Sequence, residues 1–478
     1  MIALLGMVAA HLVVPVPGRG PGGVDSLFQV VAGRSSALFA VLAGVSLALI
    51  TRTPAPGDRR RLLVRAALVA LIGLTLGGLP SGVAVILVNY GLLFCCAAPV
   101  LRWRAASLGA LAVGWGLLSP VVSLLLRREL PPATGAVPSA AGLVDPGTLV
   151  SELLVTGYYP VLTWATYLFA GLAVGRLLQP ALGVAPAGRA GAAGSGPLST
   201  GADHRVPLRV VRGLLVGGAW LAALALATSA TITRSAGPRA ALLHDAAGGS
   251  AATGSWAGLE RELRSGLHGT HPPGSAWWLG VWSPHSGSIV DLSHTTGTAL
   301  LTVGLCLWAV RLLPRLPWRL LGGAGAMTLT LYTLHVVALA VTPADSPLSP
   351  GHDLALPLHA ALAVGMGAAL AAAGRPGPLE HLVGVAAQAA APASPTRGSQ
   401  GPRVQRLRPA AASSDPGGSC PWRLVSLAAR VPGGSCPRRL VSPAPAPVRD
   451  RRSGRAVHLA FTSPARDDGV GTRKVTGR

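Results

Sequence analysis

Charge is what this sequence has least of. Charged residues make up 12% of it, about half the share usual in soluble domains, and that scarcity excludes water as the solvent for most of the chain. Aromatic residues are equally thin at 4%. No basic stripe is interleaved with stacking rings, so nucleic acid is excluded as a partner of the main body despite a net charge of +23. Sixteen Arg and Lys against four Asp fall after residue 382, so about half of that excess belongs to the C-terminal stretch. Lysine occurs once, at Lys474, which marks a GC-rich coding sequence and empties any argument from the choice of Arg over Lys. The five cysteines, Cys95, Cys96, Cys306, Cys420 and Cys436, show no metal-ligand spacing. No phosphate-cradling P-loop, nucleotide-binding glycine fingerprint or GxSxG nucleophile turn is evident. ATP-driven transport and serine hydrolysis lose support accordingly.

Apolar residues are what is present, at 50% of the chain. A helix needs about 20 mostly apolar residues to cross the hydrocarbon core. Candidate spans cover residues 2–16, 26–50, 62–79, 83–101, 105–126, 153–178, 210–232, 295–313, 320–341 and 356–373. None alternates with the period of a membrane barrel strand, and an open sheet cannot span lipid. The expected fold class is therefore all-α, a polytopic transmembrane helix bundle of about ten spans. The first span is short at about 22 Å and is closed by Pro15 and Pro17; we read it as a helix with a truncated start.

Arginines orient the bundle. Arg52, Arg59, Arg60, Arg61 and Arg65 follow the second span, Arg102 and Arg104 the fourth, Arg176, Arg189, Arg205, Arg209 and Arg212 the sixth, and Arg311, Arg315 and Arg319 the eighth. These are alternate links, so the positive-inside rule puts all of them, and both termini, in the cytoplasm of a cell-membrane protein.

The chain divides into an N-terminal membrane half (1–178), a Gly/Ala/Pro-rich cytoplasmic linker (179–207), a C-terminal membrane half (208–382) and a tail (383–478). The C-terminal half holds a long outer loop, 233–294, whose stretch SAWWLGVWSPHSG is expected to pack its Trp on the membrane face. In the tail, PGGSCPWRLVS returns as PGGSCPRRLVS. A basic, Pro-rich composition of this kind predicts disorder, either without a role or drawn to the anionic inner leaflet.

Polar groups inside the spans are the candidate site. In GRSSALFAVLAGVSLALI, Gly33, Ser36, Ala37, Ala40, Ala43, Gly44 and Ala48 share a small-residue face suited to close helix approach. Arg34 lies beside that face near the outer end. It either snorkels or pairs with an outer acid (Asp25, Glu152, Asp291 or Asp353), or it lines a cavity and holds an anionic or carbonyl group. His11, near the outer end of the first span, is a structural histidine or a general base for an attacking amine or hydroxyl. His335 has Tyr332 one turn before it, as a packing pair or part of a polar pocket. Asn89, Tyr90, Thr163, Trp164, Thr166 and Tyr167 add polar groups within spans. In HSGSIVDLSHTTG, His285, Asp291 and His294 lack compact metal spacing, and Ser293 with Thr295–Thr296 reads as a helix cap.

The stretches ALLGMVAAH, GRSSALFAVLAGVSLAL, LLVRAALVALIGLTLG, VAVILVNYGLLF, YPVLTWATYLFAGLAVGRL and GAMTLTLYTLHVVALA together resemble actinobacterial multi-pass proteins. These are of the heparan-alpha-glucosaminide N-acetyltransferase catalytic-domain family, and the resemblance spans residues 1–382. It implies transfer of an acetyl group from cytosolic acetyl-CoA, as co-substrate, across the bilayer to an amino sugar. The lysosomal enzyme keeps its catalytic histidine in the loop between its first two helices. Here that loop, PVPGRGPGGVDSLFQ, has none, and His11 is the nearest candidate.

The expected function is a membrane acyltransferase with a glycan or lipid acceptor outside. His11 is its base, and Arg34, Ser35, Tyr90, Asp291 and His335 bind substrate. The rival readings are a transporter or flippase that clamps an anion with Arg34, and an inactive relative.

Overall fold

Apolar runs become helices because lipid offers no partner to a bare peptide group, so each must be satisfied within its own segment. The structure, a computed structural model, describes residues 1–13, 23–51, 57–182, 206–247, 255–267, 269, 271–312 and 315–390. The described residues form helices and turns, with no strand among them. Residues Met1–Ser399 make one unit; the expected tail disorder, most of the 179–207 linker and Asp25's side chain lie outside the described residues.

Helix α1 is Ile2–Leu12, α2 Gly23–Val31, α3 Arg34–Ile50, α4 Asp58–Gly77, α5 Leu87–Ala97, α6 Ala105–Arg127, α7 Pro146–Ser151 and α8 Val161–Leu178. They continue with α9 Leu208–Arg234, α10 Ala236–Ala247, α11 Trp256–Ser265, α12 Ile289–Leu312, α13 Arg315–Ala326, α14 Thr328–Val341, α15 Ala355–Ala372 and α16 Pro378–Ala389. Among the described residues six stretches are long and apolar enough to cross a membrane: Leu27–Ile50, Ala105–Arg127, Val161–Ala181, Leu208–Arg234, Ile289–Leu312 and Ala355–Ala372. Helices α1, α5 and α14 are apolar but shorter, and the 20-residue α4 begins with Asp58 and three arginines. The expectation of about ten spans is not confirmed: among the described residues six helices qualify by length and composition.

Several boundaries move for physical reasons. The second span breaks at Gly33, which adopts φ +71° and is approached by Pro284, a conformation that only glycine takes without strain. Residues 320–341 split at Met327. There Glu380, in the first turn of α16, accepts the backbone N–H of Leu329 (2.7 Å) and of Thr330 (3.2 Å), filling the N-terminus of α14. Helix α16 also carries structure past residue 382, where the tail was expected to begin. The long outer loop folds into α10, α11 and the turn Ala276–Gly280. Trp278 is buried there among Leu242, Leu259 and Leu263 and donates to Asp245 Oδ2 at 3.0 Å, rather than facing lipid.

Close approach holds the centre. A Cβ on Gly171 would fall on the Val41 carbonyl, and one on Gly44 on the Leu168 carbonyl, so α3 and α8 touch backbone to backbone. Part of the small-residue face expected on α3 makes this contact, through Gly44 and Ala48, while Ser36 and Ala43 line cavities. At one end of the pair Arg176 donates to the carbonyls of Ala48 (3.3 Å), Thr51 (3.2 Å) and Leu101. One arginine of the positive-inside count is thus also a clamp on helix ends.

At the loop-rich end, Arg127 donates to the His271 carbonyl and its Nη2 reaches the imidazole Nε2 at 3.2 Å. The opposite ring nitrogen, Nδ1, lies 2.9 Å from the Pro272 carbonyl and donates to it. Burial, and then the Arg127 charge, hold the His271 pKa down to about 3.

Two tests follow from this packing. Gly171→Leu lowers stability in detergent by about 3 kcal/mol, whereas Gly217→Leu, at an open position, leaves the melting temperature within error. His271 is neutral in the fold and has a free pKa of about 6.5, so its contribution is full above that pH and shrinks by about 1.4 kcal/mol per unit as pH falls toward 3. Melting between pH 7.5 and 5 therefore drops further for the native chain than for His271→Gln. Parallel curves for the two proteins contradict this.

Candidate functional site

Three histidines from three apolar helices form a row. His11 of α1 stacks on His335 of α14 with ring centroids 5.4 Å apart, and Nδ1 of His11 lies 3.1 Å from Nε2 of His335. His335 Nδ1 lies 3.0 Å from Nδ1 of His359 on α15, and His359 Nε2 lies 3.2 Å from the Leu348 carbonyl. The closed end dictates the order of protons. A carbonyl only accepts, so His359 Nε2 carries a hydrogen and its Nδ1 accepts from His335. The neutral His335 ring then accepts at Nε2 from His11 Nδ1–H. What remains is His11 Nε2, a bare lone pair at the end of a hydrogen-bonded chain.

His11 lines a cavity of about 590 Å³, together with Ser35, Ser36, Tyr158, Tyr159 and His285. His285 sits at φ +58°, unusual for a residue with a side chain, and packs against Tyr158 (5.1 Å), Tyr159 (5.6 Å) and Trp164 (6.3 Å). Burial raises the pKa of both Tyr158 and Tyr159, most for Tyr159, so their phenols stay neutral donors. Asn89 fixes this corner by donating to the Tyr159 carbonyl at 2.8 Å.

A second cavity of about 310 Å³ lies toward the opposite end of the same helices and is lined by Phe39, Ser46, Arg65, Tyr90 and Tyr332. On α3, Ser36 faces the first cavity and Phe39 the second. The two positions are three residues apart, about 4.5 Å of helical rise and just under one turn. Tyr90 bridges this gap, its hydroxyl 3.4 Å from the Ser36 carbonyl.

Arg34 answers to neighbours of its own. Its Nε donates to His294 Nε2 at 3.0 Å, Nη1 donates to the Gln29 carbonyl, and the guanidinium lies 5.0 Å from the centre of the Trp282 ring. His294 Nδ1 lies 3.2 Å from the Ala222 carbonyl, which fixes its tautomer. The break at Gly33 makes this arrangement: it leaves carbonyls free at the end of α2 and puts Arg34 in the first turn of α3, beside them. Asp291 is fully buried nearby and accepts the Gly287 N–H at 3.1 Å.

The expected site residues therefore divide. His11 and Ser35 share the larger cavity, His335 backs His11, Tyr90 lines the smaller cavity, and Arg34 with Asp291 belongs to the joint between α2, α3 and α12. Ser293 and Thr295–Thr296 do not cap α12, which begins four residues before Ser293 at Ile289. Ser288 does this instead, accepting the Asp291 N–H at 2.9 Å, and Thr295 bonds Tyr167 at 2.8 Å. His359, Tyr158 and Tyr159 were not singled out from sequence. The available signal was that His11, His335 and His359 are each a lone histidine in an apolar run.

The Arg34 joint makes a measurable coupling. A double-mutant cycle of Arg34→Met and His294→Ala yields about 1–2 kcal/mol of interaction in thermal or denaturant unfolding. Strict additivity would place the two side chains in independent roles.

Residues 1–195 match the family model described as heparan-alpha-glucosaminide N-acetyltransferase, catalytic. No curated protein and no solved structure matches the chain. The match ends well before residue 382, so His335 and His359 lie outside it. Helices α1 to α8, with His11, Ser35, Tyr158 and Tyr159, lie inside, and over this region the chain is similar to the heparan-alpha-glucosaminide N-acetyltransferase catalytic domain.

Proposed function

We propose that the chain is a membrane acetyltransferase that takes an acetyl group from cytoplasmic acetyl-CoA and gives it to an amine or hydroxyl of an extracytoplasmic amino sugar, glycan or lipid. The observation that carries this reading is the histidine row ending on His11 in the wall of the larger cavity, within the family-matched region. The arginine distribution supports a cytoplasmic position for the Arg65 end and for both termini, in a cell membrane.

Acetyl-CoA brings an activated acyl group, a thioester whose thiolate is a good leaving group. The smaller cavity, mostly apolar with Arg65 in its wall, suits the thioester arm better than the bulky nucleotide. Arg59 and Arg60 are exposed at the start of α4 and can draw the phosphates; Arg61 already pairs with Asp58 at 3.4 Å. Nε2 of His11 accepts the proton of the attacking amine or hydroxyl. The new bond forms to the carbonyl carbon, the carbon–sulfur bond breaks, and the thiolate takes up a proton. His335 and His359 hold the His11 ring in the tautomer that this step requires and share its incoming charge along the chain. Ser35 offers a hydroxyl to the acceptor or the acyl oxygen.

A transporter for the same class of solute is the second reading. What favours it is the pair of cavities toward opposite ends of α1 and α3, divided by just under one helical turn.

Proteoliposomes given labelled acetyl-CoA on one side and glucosamine on the other separate the two. Acetylated acceptor is expected from the native chain, with a loss of about 10²- to 10⁴-fold in His11→Ala. His335→Ala loses less, and its pH–rate profile shifts while the KM for acetyl-CoA holds. Native rates in His11→Ala would remove that residue from the mechanism, and uptake without acetylation would favour the transporter.

A further inference from the structure

The segment that leads into α12 is folded over one carboxyl group. Ser288 Oγ accepts the Asp291 N–H and donates to the Val281 carbonyl at 2.8 Å. His285 and Gly287 both take positive φ, +58° and +64°, and the Gly287 N–H donates to Asp291 Oδ2 at 3.1 Å. Leu267 donates to the Pro284 carbonyl at 3.0 Å and Gly269 to the His285 carbonyl at 2.7 Å. Pro284 lies against Gly33, the residue before Arg34. The segment is thus held between the outer loop and the start of α3, with His285 in the wall of the larger cavity.

Asp291 itself is 2% exposed. Its second oxygen, Oδ1, is buried and has no hydrogen-bond partner. Among the described residues no Arg, Lys or His stands at ion-pair distance from it. The groups that face it are Ser286 of the segment, Arg34 of α3 and Tyr167 of α8; on its own helix the nearest titratable side chain in sequence is His294. The Tyr167 hydroxyl is engaged with Thr295 at 2.8 Å. Arg34 is the one cation, and it is turned to the Gln29 carbonyl, to His294 Nε2 at 3.0 Å and to the Trp282 ring. A carboxylate removed from water without a paired cation is costly, and such a group sheds its charge by taking a proton. An ionised Asp291 would draw the neighbouring guanidinium onto its bare oxygen. The arrangement seen, with Arg34 turned elsewhere, is the one a neutral carboxyl allows.

We infer that Asp291 is a proton-binding site, and that its proton decides whether Arg34 pairs with His294 or with Asp291. With Oδ1 protonated, Arg34 holds His294, as described. When the O–H bond breaks, the proton passes to solvent and the electron pair stays on Oδ1. The guanidinium then moves from His294 Nε2 to that oxygen. Asp291 holds Gly287, and Arg34 follows Gly33, so the exchange draws the segment carrying His285 toward α3. The larger cavity narrows as pH rises. This device is independent of what the cavity binds or what reaction occurs there.

Infrared difference spectra of the full chain in lipid nanodiscs, native against Asp291→Asn, read the proton directly. The native chain is expected to show the carbonyl band of a protonated carboxyl that fades as pH is raised from 5 to 9. In Arg34→Met, which has no guanidinium to receive the charge, the band is expected to persist to a pH higher by about one unit or more. Absence of the band at every pH overturns the site, and a native midpoint in Arg34→Met overturns the exchange. Access to the cavity is read from a Ser35→Cys probe, in a chain whose own cysteines are replaced, with a membrane-impermeant thiol reagent. The labelling rate relative to the same probe with Asp291→Asn cancels the ionisation of the thiol. That ratio is expected to fall about threefold between pH 6 and pH 8. A titrating band with a constant ratio overturns the link to the cavity.

Discussion

Everything in this bundle follows from the absence of water around its polar groups. In hydrocarbon an unpaired N–H, imidazole or guanidinium costs several kcal/mol, so each polar side chain within the helices must find a protein partner. His359 finds the Leu348 carbonyl, His335 finds His359, and His11 finds His335. Because the first partner can only accept, one carbonyl outside the row decides the tautomer of a histidine two residues removed from it in space. The same need turns Arg34 onto helix-end carbonyls and His294, and Arg176 onto three carbonyls at the other end of α3 and α8.

These satisfied groups are what make the unsatisfied ones informative. His11 Nε2 is left as an acceptor by the logic of the row, and Oδ1 of Asp291 is left without a partner. His11 lines the larger cavity, and Asp291 holds the segment that carries His285 into the same wall. Toward the other end of the same helices lies a smaller, mostly apolar cavity. A donor arriving from one side and an acceptor from the other would meet across just under one turn of α3, between Ser36 and Phe39. Close packing of α3 on α8 through Gly44 and Gly171 keeps that turn in place.

Much of this was legible from hydropathy. The helical class, the positions of α3 to α6, α9 and α15, and the small-residue face of α3 all follow from apolar runs and their composition. What was not legible depends on residues far apart in the chain. The break at Gly33 falls inside a stretch whose hydropathy reads as one span, and the residue packed against it, Pro284, is about 250 residues away; the start of α14 is set by Glu380, about fifty residues on. The folded outer segment was hidden because its small core, built on Leu242, Leu259 and Trp278, is too sparse to show a period. His11 and His335 were each visible as lone histidines in apolar runs, but their pairing spans 324 residues of sequence, and no local pattern announces His359 as the third member. Arg34 looked like a substrate clamp because its partners, His294 and Trp282, belong to a segment that reads as loop.

The account turns on the protonation order of the histidine row, and ¹⁵N chemical shifts of the full chain labelled at histidine, assigned through His11→Gln, read it directly. The account predicts a hydrogen on Nδ1 of His11 and a bare Nε2. A hydrogen on Nε2 of His11, with Nδ1 accepting from His335, would reverse the row and contradict its role as a base.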